Sequence, residues 1–370
     1  MDASHPGQLL LVGLPGPALD AATAATLRRV QPGGYILFTR NIETPVGLRK
    51  LLDDLRDLSD VEPIITIDQE GGRVSRLKAI GSEPPGATQL RGRDDAALVT
   101  RHGALTARLL RLFGFNLDLC PVLDICLNGD ETVDNSLRGR CYGVDVAQVV
   151  RLAGAFNAAL RAGGIASCGK HFPGYTAARQ DAHHELPVIN RTRAELDAEE
   201  LAPFRALAGE LDSVMVCHAH YPCLDPDNAL PASLSRNVIT GLLREEFGFR
   251  GLAITDDLDM GAILNGYGLE ETLHLAMAAG ADMAMICHRV EQLENARGFL
   301  ETAPAAHLDR ALADVTAARS RLAPPTPVFH EDDFLEIDAE VWQLRVDVMG
   351  EQAASHRAPE DGKRSPVEIY

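Results

Sequence analysis

Short apolar runs alternate with helical patterns along most of the chain. The runs are dense in Val, Ile and Leu, as is typical of strands that are buried on both faces of a parallel sheet. Eight such runs are Gln8–Leu14, Gly34–Phe38, Pro63–Asp68, Phe115–Val122, Ile165–Lys170, Ser213–His218, Leu252–Asp256 and Asp282–Cys287. Between them, apolar residues recur at helical spacing, most clearly in Val146–Leu160, Ala194–Ala208 and Leu269–Ala279. The pattern therefore predicts repeated β/α units.

These units predict an α/β fold of the (β/α)8 TIM-barrel type. A doubly wound parallel sheet is the alternative, because the first and last runs are weak. Polar residues lie at the carboxyl ends of many runs, among them Asp68, Asp124, Lys170, His171, His218, Asp256 and Asp257. In a barrel these ends converge on one rim, where active sites are built, whereas in an open sheet they spread along an edge. The barrel is therefore the predicted fold.

The character of the sequence changes after Ala323, where Pro324–Pro327 interrupts the alternation. We interpret residues 1–323 as a single barrel domain and residues 324–370 as a C-terminal extension of unassigned role. The extension is acidic, with a second stretch of Pro, Gly and charged residues from Ala358. One helix or strand is expected around Val341–Val348, and no second domain.

Composition narrows the function classes. The 370 residues carry a formal net charge of −18, which argues against nucleic acid and disfavours anionic membranes as partners. The N-terminus does not resemble a signal peptide, and no stretch reaches the roughly 18 apolar residues of a membrane span. Seven cysteines without a C-x-x-C spacing suit buried thiols in a reducing compartment. We therefore predict a cytoplasmic protein.

The densest group of titratable residues follows the fifth run. Lys170 and His171 begin a Lys-His-Phe-Pro-Gly segment, and Asp181 and His183 follow in the same polar loop. Because Asp181 and His183 are two residues apart, the carboxylate can hold one imidazole nitrogen and leave the other facing a substrate. Such a pair suits general acid/base catalysis. The alternative interpretation is that His183 and His184 are solvated loop histidines.

A second candidate segment is Thr255–Leu258, where two adjacent carboxylates end an apolar strand. Neighbouring strand residues point in opposite directions, so only one carboxylate is expected to face the barrel axis. Asp256 is the candidate for that position. Asp257 or Asp259 is better suited to cap a helix after Met260.

A third candidate segment is Asp68–Arg76, just past the third run. It combines two carboxyl groups, a Gly-Gly turn and two arginines. The glycines allow a sharp turn, and the charged groups can grip substrate hydroxyls or satisfy each other. A simple ion pair between Glu70 and Arg73 is the alternative.

Together these motifs resemble family 3 glycoside hydrolases, specifically the single-domain bacterial β-N-acetylglucosaminidases of peptidoglycan recycling. The resemblance runs from about Gly33 to Gly280, with several separate motifs in the family's order. The motifs are Gly34–Asn41 (GYILFTRN), Asp68–Arg76 (DQEGGRVSR), Pro121–Asp124 (PVLD), Lys170–Gly174 (KHFPG) with the downstream D-x-H, Pro231–Ser235 (PASLS) and Thr255–Leu258 (TDDL).

The resemblance implies a retaining, exo-acting enzyme that releases N-acetylglucosamine (GlcNAc) through a covalent glycosyl-enzyme. It implies that Asp256 is the nucleophile and that His183, paired with Asp181, is the acid/base. The residues it assigns to the sugar pocket are Asp68, Arg76, Arg140, Lys170 and His171. It implies a small carbohydrate partner, GlcNAc-containing muropeptide fragments, with no cofactor and no metal. We expect a monomer or homodimer.

The chain departs from the family in the loop that carries the acid/base. The family usually has His-Gly after Lys170–Gly174, where Tyr175 and Thr176 stand here. The middle residue of its D-S-H motif is Ala182. The interval from Lys170 to the D-x-H pair is kept. We therefore expect the dyad to be preserved and any change to concern the conformation of the loop.

Other functions stay open at this point. A β-glucosidase, a xylosidase or a phosphorylase would use similar residues on another sugar or with phosphate in place of water. A metal-dependent hydrolase is a different class, in which His218 and His220 with His171 and Asp256 would bind zinc. A barrel that only binds sugar is disfavoured by the presence of both Asp256 and His183.

Overall fold

Eight parallel strands close into a barrel in a computed structural model that describes residues 5–126, 136–326 and 328–356. The strands are β1 (Leu10–Gly13), β2 (Gly34–Leu37), β3 (Ile64–Ile67), β4 (Leu117–Asp118), β5 (Ala166–Phe172), β6 (Ser213–Val216), β7 (Leu252–Asp257) and β8 (Met283–Ile286). They lie side by side in chain order, and β1 pairs with β8 to close the ring. The predicted (β/α)8 barrel is confirmed, and each strand lies largely within a predicted apolar run.

Helices lie around the barrel and pack through their apolar faces. They are α1 (Ala21–Val30), α2 (Pro45–Leu58), α3 (Ala87–Arg93), α4 (Ala96–Phe113), α5 (Val146–Ala162), α6 (Arg193–Ala198), α7 (Leu201–Leu207), a π-helix (Asn237–Glu246), α8 (Gly261–Leu264), α9 (Leu269–Ala279), α10 (Leu293–Glu301), α11 (Ala305–Arg319), α12 (Glu331–Met349) and α13 (Glu351–Ala354). Asp20, Asp95 and Asp145 cap α1, α4 and α5 by accepting backbone N–H groups of the first turn.

The predicted helix over residues 194–208 is wrong as one element, since the structure has two short helices there. Thr192 and Glu195 form a capping box that begins α6, and the helix ends at Ala198. Pro203 lies four residues after Glu199 and has no N–H to donate to the Glu199 carbonyl, so a continuous helix would lose a bond at this point. The break places Glu200 at the start of α7, with its side chain buried.

The C-terminal extension contributes α12, which packs against α4 on the outside of the barrel. The residues around Val341–Val348 are therefore helical. Phe334 packs on Phe113 with ring centroids 5.5 Å apart, and buried Arg345 pairs with Glu83 at 2.8 Å. The charged stretch from Ala358 lies outside the described residues. Among the residues the structure describes, no helix is long and apolar enough to cross a membrane.

Candidate active site

A cavity opens at the carboxyl ends of the barrel strands. Its lining combines apolar side chains from the barrel interior with charged groups from the strand ends and the loops after them. The lining residues are Ile36, Phe38, Asp68, Val74, Arg76, Leu119, Ser136, Arg140, Lys170, His171, Tyr175, Ala182, His183, Met215, Cys217, Asp256, Asp257, Met260, Met285 and Cys287. The predicted convergence of the polar strand ends on one rim is thus observed.

Four charged side chains form a buried network on one side of the cavity. The Lys170 ammonium lies 2.6 Å from the Asp68 carboxylate and 2.7 Å from Glu70. Arg140 donates to both Glu70 oxygens, with Nε at 2.8 Å and Nη2 at 2.7 Å. Each positive charge thus compensates a carboxylate that would be costly to bury alone.

The pKa values of this network follow from its pairing. Burial alone would raise the pKa of Asp68, but the charges of Lys170 and Arg76 hold it below its usual value. Burial likewise opposes the charged form of Glu70, and the adjacent Arg140 and Lys170 outweigh it and lower its pKa strongly. The carboxylates raise the pKa of Lys170 despite its burial. All members of the network are therefore ionised at neutral pH.

Arg76 extends the network toward the mouth of the cavity. Its Nη2 lies 3.6 Å from an Asp68 oxygen, and its guanidinium lies 5.6 Å from the centre of the Phe38 ring. Arg76 is only 3% exposed. A buried guanidinium beside a carboxylate presents donors and acceptors close together, which suits the hydroxyl groups of a sugar.

His171 connects this network to Asp124. Its Nδ1 lies 2.8 Å from Asp124 Oδ2, and its Nε2 lies 3.3 Å from Arg140 Nη2. Because an arginine nitrogen can only donate, Nε2 acts as the acceptor and Nδ1 carries the proton that Asp124 accepts. The peptide bonds Lys170–His171 and Phe172–Pro173 are cis.

Asp256 and Asp257 at the end of β7 are both among the residues that line the cavity. The register between β7 and β8 shifts here, with Ile254 opposite Met283 and Asp257 opposite Met285. The extra residue in β7 breaks the strict alternation of side chains.

The two carboxylates nevertheless differ in their surroundings. Asp257 Oδ1 accepts the backbone N–H groups of Asp259 and Cys287, at 3.0 and 3.1 Å. Asp256 Oδ1 accepts the N–H of Asp257 at 2.9 Å, and the Asp256 side chain is part-exposed to the cavity. Asp257 thus holds the β7 and β8 ends together, while Asp256 is more open to a substrate.

The prediction that Asp257 or Asp259 caps the helix after Met260 is wrong. The N-cap of α8 is Met260, which makes no side-chain hydrogen bond. Asp259 instead accepts the backbone N–H groups of His288 and Arg289, at 2.7 and 3.2 Å. Both carboxylates therefore tie the β7 loop to the β8 loop, because their side chains reach sideways along the rim.

Asp181 and His183 form the predicted pair. His183 Nδ1 lies 2.6 Å from Asp181 Oδ1, which also accepts the backbone N–H of His183 at 3.0 Å. Burial would raise the pKa of Asp181, but its hydrogen bonds with His183 and the charge of that ring lower it. The ionised carboxylate orients the imidazole so that Nε2 is the nitrogen available to a ligand.

The histidines considered as zinc ligands have other partners. His218 is fully buried, with Nδ1 2.7 Å from the Ser233 hydroxyl and Nε2 2.9 Å from the Asp257 carbonyl. His220 Nδ1 lies 3.1 Å from the Leu230 carbonyl. Within the described ranges, no group of three or more His, Cys, Asp or Glu side chains has the arrangement of a metal site.

The structure brings the sequence-predicted residues together. Seven line the cavity, namely Asp68, Arg76, Arg140, Lys170, His171, His183 and Asp256. Asp181 lies behind His183 and contacts it directly. Glu70 is a member of the network that the sequence analysis did not assign to the site, and it pairs with Arg140 and Lys170. Its position two residues after Asp68 was the available signal.

Comparisons with known proteins agree with this architecture. The Glycosyl hydrolase family 3 N terminal domain matches residues 4–318. The β-hexosaminidase of Pseudomonas aeruginosa is 35% identical over 294 residues, covering 79% of this chain and 86% of that protein. The β-hexosaminidase of Chromobacterium violaceum is 33% identical over 342 residues, covering 90% and 94%.

Solved structures show the same fold. A family 3 β-N-acetylglucosaminidase from Paenibacillus sp. superposes with a TM-score of 0.82 at 32% identity, covering 93% of this chain and 68% of that one. A β-N-acetylhexosaminidase from Beutenbergia cavernae gives a TM-score of 0.80 at 26% identity, covering 86% and 99%. The resemblance found in the sequence is confirmed: the chain belongs to glycosyl hydrolase family 3 and is a glycoside hydrolase of the type represented by these β-hexosaminidases.

Proposed function

We propose that this protein is a retaining, exo-acting β-N-acetylglucosaminidase. The observation that carries the proposal is one cavity lined by Asp256, by His183 with Asp181 behind it, and by Lys170, Asp68 and Arg140 of the buried charge network. The β-hexosaminidase relatives support a 2-acetamido sugar as the substrate. Family resemblance extends the proposal to GlcNAc-containing muropeptide fragments and to the cytoplasm.

The charge network binds the terminal sugar in this mechanism. Asp68 accepts hydrogen bonds from sugar hydroxyls, while Arg76, Lys170 and Arg140 donate to them or hold the acceptors in place. Because these groups are already paired and buried, little reorganisation is needed when the sugar enters. Apolar side chains such as Ile36, Leu119 and Met215 line the same cavity.

Glycosylation uses Asp256 and His183. A carboxylate oxygen of Asp256 forms a bond to the anomeric carbon as the glycosidic bond breaks. The protonated His183 gives its Nε2 proton to the departing oxygen, and Asp181 stabilises the imidazolium and fixes its orientation. The products are the free aglycone and a glycosyl ester on Asp256.

Deglycosylation reverses these roles. The now neutral His183 takes a proton from a water molecule, whose oxygen attacks the anomeric carbon. The Asp256 carboxylate leaves, and the sugar is released with the configuration of the substrate. Two inversions at one carbon give net retention.

The proposal is tested with β-linked p-nitrophenyl glycosides of GlcNAc, N-acetylgalactosamine, glucose and xylose, assayed with and without phosphate and chelator. We expect the GlcNAc substrate to be cleaved fastest. Its cleavage should not require phosphate and should not be inhibited by the chelator. Proton NMR of the first product should show the β-anomer. An inverted product, or a clear preference for glucose or xylose, would contradict the proposal.

A further inference from the structure

Tyr175 occupies the position where the family usually has histidine, and its side chain is almost completely buried. The residue is 4% exposed and lines the active-site cavity. Its ring lies beside His171, with the centroids 6.2 Å apart. A large buried side chain at this point is unlike a solvated loop residue, so its contacts show what it does for the loop.

The Tyr175 hydroxyl bonds to the backbone on both sides of Asp181. It donates to the Gln180 carbonyl at 3.0 Å and accepts the Ala182 N–H at 3.0 Å. Burial raises the pKa of the phenol, so it keeps its proton and remains a donor. The two bonds fix the short segment that carries the Asp181 carboxylate.

The backbone of Tyr175 connects the same segment to the residues proposed to bind the sugar. Its N–H donates to Asp124 Oδ1 at 2.7 Å, and the other oxygen of Asp124 holds His171 Nδ1 at 2.8 Å. The neighbour Thr176 also contributes, since its hydroxyl accepts the Ile125 N–H at 3.0 Å. The two residues that depart from the family pattern therefore both anchor the start of the loop.

The first residues of α8 also hold the loop. The N–H groups of Gly261 and Ala262 donate to the carbonyls of His183 and Ala182, both at 3.0 Å. A Cβ at Gly261 would lie 2.7 Å from the His183 carbonyl oxygen, so the approach depends on glycine. The Ala182 N–H thus donates to the Tyr175 hydroxyl, and the Ala182 carbonyl accepts from Ala262 in α8.

We propose that Tyr175 is a positioning residue for the acid/base: its phenol clamps the backbone around Asp181 and so aims the His183 ring into the cavity. The inference rests on the proposed function, because it assigns His183 the proton transfer. Tyr175 itself transfers no proton. Its effect on the reaction passes entirely through the Asp181–His183 pair.

The first test is Tyr175→Phe, which removes both hydrogen bonds and keeps the ring. The two bonds together contribute about 1–3 kcal/mol, which corresponds to a loss of roughly 5- to 150-fold in kcat/KM where protonation limits the rate. We expect this loss on a GlcNAc disaccharide, a poor leaving group. A GlcNAc aryl glycoside with an acidic phenol should lose less than about threefold.

Tyr35→Phe is the matched control. Tyr35 is equally buried, and its hydroxyl lies 3.1 Å from the Ser59 hydroxyl, outside the cavity lining. Its removal should lower the melting temperature without changing the ratio of the two kcat/KM values. Equal losses on both substrates in Tyr175→Phe would show a general structural role and overturn the inference.

A double-mutant cycle with His183→Ala separates this inference from the proposed function. If Tyr175 acts through His183, Tyr175→Phe should cause no further loss in the His183→Ala background. If Tyr175→Phe caused its full loss of kcat/KM in the His183→Ala background as well, the positioning role of Tyr175 would be overturned, while the acid role of His183 would stand. If His183→Ala itself slows good and poor leaving groups equally, the proposed acid role fails first.

Discussion

The two sides of the cavity are built differently. On the sugar side, Lys170, Asp68, Glu70 and Arg140 compensate one another at 2.6–2.8 Å, on β5, just after β3 and near the start of α5. On the acid/base side, His183 pairs with Asp181, and the loop is held by neutral hydrogen bonds from Tyr175 and Gly261. The sugar side is fixed by charge, whereas the acid/base side is fixed by the backbone.

This difference separates what each side contributes. Buried ion pairs hold their geometry because breaking one leaves a charge unpaired in the interior. Backbone hydrogen bonds on a loop are individually weaker and can be exchanged for water. We therefore expect substitutions on the sugar side to change folding and binding together, and those on the loop to change proton transfer selectively.

Asp256 stands between the two sides, and its removal should have the largest effect. Asp256→Ala eliminates the group proposed to form the covalent bond, so kcat should fall by roughly 10⁴-fold or more on every substrate. Asp257→Asn is the comparison, because an amide oxygen can still accept the N–H groups of Asp259 and Cys287. If kcat fell this far in Asp257→Asn and not in Asp256→Ala, Asp257 and not Asp256 would be the nucleophile.

His183→Ala should be the next largest change and should depend on the leaving group. On a GlcNAc disaccharide, kcat/KM should fall by about 10² to 10⁴, the usual range of general acid catalysis. A substrate with an acidic phenol should be largely spared, and Asp181→Asn should show a milder version. The control is His184→Ala, since the His184 side chain is exposed and the loop is held there through its backbone: its N–H donates to the Asp181 carbonyl at 3.0 Å, and its carbonyl accepts from Asn265 at 2.8 Å.

Lys170→Met tests the sugar side. It leaves Asp68 and Glu70 buried beside each other with one cation fewer, so the free energy of unfolding should drop by about 3–5 kcal/mol. Any remaining activity should fall equally for good and poor leaving groups. The matched change is Lys50→Met, whose exposed pair with Asp54 should contribute less than about 1 kcal/mol. Denaturant titration of both variants measures the difference.

The smallest expected effect concerns Glu200 and the pH dependence of stability. It is buried behind Gly174 with Arg191 at 3.3 Å, and burial raises its pKa to about 7. The folded state therefore binds the proton more tightly than the unfolded chain, and this group's contribution to stability is lost as the pH rises from about 4.5 to 7.

Glu200→Gln should remove that slope. The variant should gain about 1–3 kcal/mol relative to the parent between pH 5 and pH 8, as measured by urea unfolding. Glu199→Gln is the control, because Glu199 contacts the same Arg191 but is far more exposed. A parallel pH dependence in the parent and in Glu200→Gln would show that the buried carboxylate is ionised throughout.

The site residues that the sequence could predict lie at the ends of strands or in a short motif. Residues such as Asp68, Lys170 and Asp256 follow or end apolar strands, and a barrel brings strand ends to one rim. Their convergence therefore follows from the strand pattern alone. The D-x-H spacing likewise placed Asp181 against His183, because a carboxylate two residues before an imidazole can reach Nδ1.

What the sequence did not predict depends on local backbone geometry. The register shift in β7 puts both Asp256 and Asp257 at the cavity lining, and no residue type in the segment predicts it. The break between α6 and α7 was readable only from Pro203, inside an otherwise helical pattern. The bonds of Tyr175 to Gln180 and Ala182 depend on the path of the loop, which spacing does not define.

The most direct test of the account is the site of covalent attachment. A 5-fluoro GlcNAc glycoside with a good leaving group forms the ester quickly and hydrolyses slowly, so the intermediate accumulates and can be digested for mass spectrometry. We predict one sugar per chain on Asp256, in the parent and, with an acidic leaving group, in His183→Ala. A sugar on another residue, or complete inactivation without any covalent sugar, would contradict the account.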